Sequence, residues 1–313
     1  MRITVLAGGV GGARFLKGVR AAAAPGDEIT AVVNTGDDVT LAGLRVCPDL
    51  DSILYALAGV NDAERGWGRA DEAERAAEEM TAWGVGWPWF TLGDRDLGAC
   101  ITRSHWLAEG VGLAEVVRRL ASRWDLGVAL LPMSEQPIET HVHTAEQGRM
   151  HFQEWWVRHR AGLRAERFEL DGIGAATPAP GVLAAIADAD AVLVAPSNPV
   201  VSIGPILAVP GIREALVATA APVVGLSPIV GGRVVRGMAD ACLEAIGVDT
   251  DAAAVAQHYG AELLDGWLVD TADAGAAGRL TAEGIPTIAR PLLFTSVEET
   301  AAIARDALAL AQR

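Results

Sequence analysis

Short apolar runs ending in glycine or small polar residues punctuate this chain, and most are followed by apolar positions recurring at helical spacing. "RITVLAGG" (2–9) reads as a buried strand running into a glycine loop, with "ARFLKGVRAAA" (13–23) as the next helix. "EITAVVN" (28–34) predicts a second strand. In "DLDSILYALAGV" (49–60) the apolar spacing is helical, and Asp49 or Asp51 is placed to cap its start. "GLAEVVRRLASRW" (112–124) predicts an amphipathic helix feeding the strand "LGVALLP" (126–132). "IETHVHT" (138–144) and "GRMHFQEWW" (148–156) alternate like a hairpin.

From about residue 180 the strand–helix rhythm returns. "ADAVLVAP", "APVVGLSP", "DGWLVD" and "GIPTIAR" predict strands, while "GMADACLEAIG", 272–283 and 296–311 predict helices. "SNPVVSIGPILAVPGIREAL" (197–216) reads as a loop with helical turns, and "IVGGRVV" (229–235) as a loop. The alternation predicts an α/β fold in one domain, 1–313: a doubly wound, mostly parallel, Rossmann-like sheet. Residues 60–125 break the rhythm. They are charged, tryptophan-rich and mostly helical by pattern, with a loop at 84–95, and predict an inserted lobe. Trp67, Trp83, Trp87, Trp89 and Trp106 crowd it. Most tryptophans are simply core, yet this density can wall a flat-sided pocket for a planar ring.

Composition narrows the partners. A formal net charge of −15 argues against nucleic acid or an anionic membrane surface. Lys17 is the sole lysine, a pattern that GC-rich codon usage explains without function. Any phosphate bound here must still be met by arginine, backbone N–H groups or a metal. Cys47, Cys100 and Cys242 are too few and too scattered for a disulfide framework or zinc knuckle. Ala191 to Ile212 is uncharged and long enough to span a bilayer. Pro196, Pro199, Pro205 and Pro210 interrupt it, so strand, loop and helix are expected. "MRITVLAGG" turns to glycine after one strand, unlike a secretory leader, and a cytoplasmic protein is expected.

In a doubly wound sheet the ligand lies beyond the carboxyl ends of the strands. Four loops qualify: "AGGVGGAR", "NTGDDVTLAG", "APSNPVVSIG" and "SPIVGGR". The first fails the dinucleotide fingerprint, because Arg14 stands at the third glycine position and the second strand ends at Asn34. No Walker lysine follows either. What remains is a glycine turn opening a helix, suited to an anion or simply a tight connection. Asp37, Asp38, Asp49 and Asp51 would repel one another unless a cation sits between them, and Mg²⁺ takes such oxygen ligands. The plainer reading makes Asp38 and Asp49 helix caps. Asp51, inside the first turn, is a candidate base or metal ligand if it faces the cleft. "TLGDRD" (91–96) adds Asp94, Arg95 and Asp96, or is merely a solvated helix start. His141 and His143 share a strand face near His151, which reads as a polar, cleft-facing strand rather than a zinc site.

"GGVGGAR", "NTGDD", "CPDLDS", "TLGDRDLG", the stretch 129–148, "MHFQEWW", "APSNPVVSIGPILAVPGIREAL" and "SPIVGG" occur in this order. Together they resemble the 2-phospho-L-lactate transferase family of coenzyme F-420 biosynthesis, over nearly the whole chain. The resemblance implies transfer of a phospho-acid group from a guanosine diphosphate-linked donor to the ribityl hydroxyl of the deazaflavin Fo. GMP leaves and a phosphodiester forms. The resemblance implies a phosphoenolpyruvate or 2-phospho-L-lactate donor; the arginine- and alanine-rich, lysine-poor chain is similar to actinobacterial members, which by that resemblance favours the former.

By resemblance, Gly8, Gly9, Gly11 and Gly12, with Ser197, Asn198, Ile229, Gly231 and Gly232, hold the guanine nucleotide. Asp37, Asp38 and Asp51 form the catalytic, Mg²⁺-holding set, with Asp51 and Ser52 nearest the attacking hydroxyl. Asp94, Arg95 and Arg103 face the same cleft. Met133 and Ser134 bed the ring together with the lobe at 60–125, which forms part of the acceptor pocket. "WPWF" (87–90) departs from the family's usual residues, so ring contacts are not carried over there. Family precedent and apolar helix faces imply a homodimer. Two rival readings are a regulatory nucleotide-sugar-binding protein of related fold and a nicotinamide oxidoreductase, the latter disfavoured by the failed fingerprint.

Overall fold

A computed structural model describes residues 1–312. Seven strands form one parallel sheet: β1 (Arg2–Ala7), β2 (Glu28–Val33), β3 (Ala129–Pro132), β4 (Ala191–Val194), β5 (Val223–Leu226), β6 (Gly266–Val269) and β7 (Thr287–Ala289). Their spatial order is β3-β2-β1-β4-β5-β6-β7. β1 pairs with β2 through Ile3 and Ile29, and with β4 through Ile3 and Ala191. The winding direction therefore reverses between β1 and β4, which opens a crevice at their carboxyl ends. Each residue of β4 and β5 is buried, as expected for central strands covered on both faces.

Two cores flank the sheet. One contains Phe15, Leu16, Ile53 and Ile303, the other Ile186, Ile203, Tyr259 and Trp267. Burying such side chains stabilises the fold by roughly 1.5–3 kcal/mol each. Helix α1 (Gly9–Ala22) lies against the C-terminal helix Val297–Leu310. The contact is close because position 18 is glycine: a Cβ there would come 2.4 Å from Thr300 Cγ2. Helix α2 (Pro48–Ala58) begins with proline at its first position and ends at Gly59, whose φ of 69° suits a residue without a Cβ.

The inserted region carries α3 (Arg75–Ala82), α4 (Asp94–Ala108) and α5 (Leu113–Ala121). No residue of α3 is buried, whereas α5 sinks Leu113 and Val117 into the same core as α1. The C-terminal part of the lobe is thus built into the main domain. A separate antiparallel sheet has Glu139–Thr144 between Gly148–His151 and Ala165–Asp171. The expected hairpin is present but shorter, because Glu154–Arg158 turns into a π-helical segment that buries Trp155. The span expected to be a loop at 229–235 holds a small antiparallel ribbon, Ile229–Val230 with Arg233–Val234. Among the described residues no single helix is long and apolar enough to cross a membrane. Pro199–Ala208 and Ile212–Ala218 pass together by length and composition only, and meet at 84°.

Candidate active site

The switch point is closed by a reciprocal contact. Gly8 N–H donates to Ser197 Oγ at 3.1 Å, and that hydroxyl donates back to Gly8 O at 2.7 Å. The glycine turn thereby joins the ends of β1 and β4. Gly9 sits at φ 61°, and Gly8 cannot carry a side chain: its Cβ would lie 2.4 Å from Asp49 Oδ2. Beyond this turn opens a cleft of about 940 Å³, bordered by loops from both halves of the sheet.

Asp37, Asp49, Asp51 and Asp96 line the cleft, and all four are buried. Asn34, at the end of β2, organises the first pair: its Nδ2 donates to Asp49 Oδ2 at 2.8 Å and to Asp37 Oδ1 at 3.3 Å. Its own Oδ1 accepts from Gly36 N at 2.8 Å. Gln153 Nε2 approaches the other Asp37 oxygen at 3.2 Å. Burial, then the charges of Asp49 and Asp38, push the Asp37 carboxyl well above the usual range. Burial pushes Asp49 up to about 7, although the Asn34 amide, the Gly9 N–H and the Ser202 hydroxyl oppose the shift. Asp49 therefore makes no cap for its own helix; it reaches across to the glycine turn.

Asp51 is held differently. The buried Arg103 guanidinium, from α4, donates to Asp51 Oδ1 and, through Nη1, to Arg45 O at 3.1 Å. Asp51 Oδ2 is buried without a hydrogen-bond partner. Asp96 stands close by, with Asp51, Asp96 and Cys100 each presenting an atom within 4.8 Å of the others. Tyr55 OH donates to Asp96 Oδ1 at 2.9 Å. Burial, followed by the Asp51 charge, pushes Asp96 up to about 7.

The predicted residues divide into three groups. Gly8, Gly9, Gly11, Asp37, Asp51, Ser52, Ser197 and Asn198 border the cleft together. Gly12, Ile229, Gly231 and Gly232 do not, although Ser227 and Pro228, just before the ribbon, do. Gly12 instead permits close packing, since its Cβ would meet Ala7 Cβ and Ser197 Oγ at 2.9 Å each. The third group lies elsewhere. Asp38 turns from the cleft to an ion pair with Arg45 at 3.0 Å, and burial pushes it up to about 6 against that guanidinium. It is neither a cap nor, in this placement, a shared ligand with Asp37. Asp94 and Arg95 are exposed; Asp94 accepts from Ala76 N, and Arg95 donates to Ala70 O. Helical spacing explains this: of "GDRD", only Asp96 points inward. Met133 and Ser134 are buried beneath the surface, with Ser134 Oγ donating to Thr177 O at 2.8 Å. Arg103 acts from behind Asp51 rather than at the cleft wall.

The histidines also differ from expectation. His143 pairs with Glu169 at 2.6 Å and His141 with Asp171 at 3.5 Å, outside the cleft. His151 is buried beside the Asp38 carbonyl, and burial pushes its ring down to about 4. Among the crowded tryptophans, Trp67 and Trp89 border the cleft, while Trp83 is 81% exposed and Trp106 lies under Arg119. Trp87 stacks on Trp89 with ring centroids 4.7 Å apart and props it from behind. Phe152 and Trp156, from "MHFQEWW", complete the apolar wall.

Sequence reasoning did not single out Asn34 as an organiser; it had registered only as a non-acidic strand end. That position, at the carboxyl end of the strand beside β1, was the available signal. Gln153 was legible only inside "MHFQ"; Arg14 had registered only as the break in the dinucleotide fingerprint, and Arg236, which also borders the cleft, carried no signal beyond charge.

Asp37 and Asp49 offer the donor chemistry that a hard divalent cation takes. They share one amide donor and neither makes an ion pair among the described residues, whereas Asp51, with a buried oxygen that lacks a partner, groups instead with Asp96 and Cys100. The oxygen donors of Asp37 and Asp49 suit Mg²⁺.

A glycine turn and a carboxylate cluster meeting at the switch point of a Rossmann-like sheet define an α/β protein suited to phosphorylated ligands. A family model described as 2-phospho-L-lactate transferase CofD matches residues 3–285. The phosphoenolpyruvate transferase of Kitasatospora aureofaciens is 58% identical, with 100% of this chain and 98% of that protein covered. Its counterpart in Streptomyces coelicolor is 56% identical over 100% of this chain and 98% of that protein. The chain belongs to the CofD family and is a transferase. At the level of fold alone, a crystal structure of a UPF0052 family protein from Bacillus halodurans superposes with a TM-score of 0.63. That likeness covers 98% of both chains at 19% identity.

Proposed function

We propose that the protein transfers the phosphoenolpyruvyl group of a guanosine diphosphate-linked donor to the terminal ribityl hydroxyl of Fo, in coenzyme F-420 biosynthesis. The names of its relatives favour this donor over the phospholactyl one. The observation that carries the reading is the meeting of Asp49 with the glycine turn, which sets carboxylates beside a helix start of the kind suited to phosphate.

The acceptor hydroxyl oxygen forms a bond to the phosphorus that carries the acid. The bond from that phosphorus to the bridging oxygen breaks, and GMP leaves with the oxygen. Such transfers depend on position and charge neutralisation more than on covalent intermediates. Asp37 and Asp49 would contribute carboxylate oxygens to Mg²⁺, which would neutralise the donor phosphates when bound. This set keeps Asp37, with Asp49 in place of the turned-away Asp38, and leaves Asp51 to the acceptor hydroxyl. The free N–H groups at the start of α1 receive phosphate oxygens.

Asp51 takes the proton of the attacking hydroxyl. Its Oδ1 is committed to Arg103, which leaves Oδ2 as the available acceptor. Arg103 fixes the carboxylate rotamer, while Trp67, Trp89, Phe152 and Trp156 offer flat surface to the deazaflavin ring. Two of these come from the inserted region, so the lobe forms part of the acceptor pocket.

The test is a transfer assay with Fo, Mg²⁺ and each guanosine-linked donor, run beside Asp51→Asn. Phosphodiester product from the wild type, and little from a folded variant that still binds Fo, is the expected result. No product from either donor would sink the proposal.

A further inference from the structure

Five acidic side chains border the cleft: Asp37, Asp49, Asp51, Glu74 and Asp96. Among the described residues only two cationic side chains do so, Arg14 and Arg236. What sets these two apart is their place: they face a cleft rich in carboxylates, in a chain of net charge −15, and none of those carboxylates engages them. Among the described residues neither makes an ion pair, although the cleft holds five carboxylates that could have supplied one. Glu74 is met by Arg65 at 3.7 Å, Asp51 by Arg103.

The two arginines come from different elements. Arg14 stands on α1, one turn beyond the glycine loop, and Arg236 follows the ribbon Ile229–Val234. Both are exposed. They are near enough that the Arg14 charge lowers the affinity of Arg236 for its proton, on top of a larger effect of burial. Arg236 is not loose: Nη2 donates to Arg65 O, and its guanidinium lies against Gly66. At Gly66 a Cβ would come 2.9 Å from Arg236 Nη2 and 2.9 Å from Val10 Cγ1, and φ there is 84°. The glycine thus lets the segment before Trp67 close over the start of α1 and bring Arg236 with it.

Two like charges facing one cleft without a counter-ion favour an anionic ligand. Guanidinium groups match the planar, bidentate geometry of carboxylate and phosphate oxygens. We propose that Arg14 and Arg236 form a clamp at the cleft mouth for an oxyanion of the nucleotide-linked acid. The oxyanion belongs either to the diphosphate or to the carboxylate of the three-carbon acid. The assignment rests on the transferase function proposed above and adds the residues that recognise the donor.

Charge at the cleft then has two poles. The carboxylates gather at the switch point, where a cation and the acceptor hydroxyl are needed, while the arginines meet the donor's own negative charge. Segregation of this kind keeps Arg14 and Arg236 from being neutralised by Asp37 or Asp49 before substrate arrives.

The experiment compares wild type, Arg14→Gln, Arg236→Gln and the double variant, with Arg→Lys at each site as the charge-retaining control. Equilibrium binding of GMP, GDP and the complete enolpyruvyl donor is measured with Mg²⁺ present, and steady-state transfer to Fo is measured alongside. Both arginines are exposed, so folding should be retained, and circular dichroism checks it. Loss of a charged hydrogen-bonding partner is expected to weaken binding by about ten- to a hundredfold per arginine. If the diphosphate is the target, GDP and the donor weaken together while GMP stays within about twofold. If the carboxylate is the target, the donor alone weakens and its KM rises, while KM for Fo stays unchanged. Either pattern supports the clamp. Unchanged affinity for all three compounds in the double variant, with wild-type transfer intact, would overturn it while leaving the transferase reading standing. A wild type that binds none of them would remove both.

Discussion

The side-chain amide of Asn34 hydrogen-bonds to Asp49 Oδ2 at 2.8 Å and Asp37 Oδ1 at 3.3 Å, so one neutral group holds two buried carboxylates together. Its carbonyl is equally committed, accepting from Gly36 N. Its amide also donates to Val201 O at 3.3 Å, and replacement by leucine would remove all four contacts and leave buried polar atoms unpaired. Each unpaired group costs about 1–3 kcal/mol. Asn34→Leu is expected to lower the thermal midpoint, and Mg²⁺ should recover less of the loss than it adds to the wild type. Differential scanning calorimetry with and without the ion reads both quantities.

The raised carboxyls at Asp49 and Asp96, each at about 7, set the sign of a pH effect. Unfolded aspartate releases its proton near pH ~4. Between there and about 7 the folded protein holds protons that the unfolded chain does not, so stability falls as pH rises. The metal-free protein should therefore be more stable at pH 5 than at pH 8, as judged by urea midpoints. Asp96→Asn should flatten the slope, because its amide keeps the Tyr55 partner without a titrating proton. An equal slope in that variant would count against the assignment of Asp96.

Asp38 and Arg45 make a buried ion pair at 3.0 Å beneath the cleft. Breaking such a pair from one side leaves an uncompensated charge and typically costs about 3–5 kcal/mol. Arg45→Met should destabilise the protein by this order, whereas the double change Arg45→Met with Asp38→Leu should recover much of it. Activity in the double variant separates the roles: the present placement makes Asp38 structural, so transfer should persist once the fold is restored. Loss of transfer in a stable double variant would return Asp38 to the catalytic set.

The parallel sheet was legible because its strands are short, apolar and punctuated by glycine. β1 and β4 could be read from "ITVLA" and "AVLV" without any partner in view. The π-helical turn at Glu154–Arg158 was not, since the alternation of "MHFQ" ends without a turn residue before "EWW", and tertiary packing buries Trp155. At the site, the aspartates were visible as a group, but their division was not. Whether a carboxylate turns toward the cleft or toward Arg45 depends on a residue several positions away that no local pattern ties to it. The same holds for "GDRD", where a helix beginning at Asp94 selects Asp96 as the inward residue. Arg14 and Arg236 lie 222 residues apart in the chain. Only folding makes them neighbours.

Arg103 reaches Asp51 from α4 and is itself held by the carbonyl of Arg45, so it sets the direction of the carboxylate without bordering the cleft. Losing a general base typically slows a reaction by about 10²–10⁴-fold, and Asp51→Asn should fall in this range with KM for Fo little changed. Arg103→Lys preserves a positive charge but cannot span Asp51 and the Arg45 carbonyl with a rigid fork. It should lower kcat more than it alters KM for either substrate, and less than Asp51→Asn does. The combined variant supplies the decisive comparison. If Arg103 acts only through Asp51, Arg103→Lys should have little further effect in the Asp51→Asn background, and the two losses will not multiply. Multiplying losses would mean that Arg103 contributes to transfer by a route independent of Asp51.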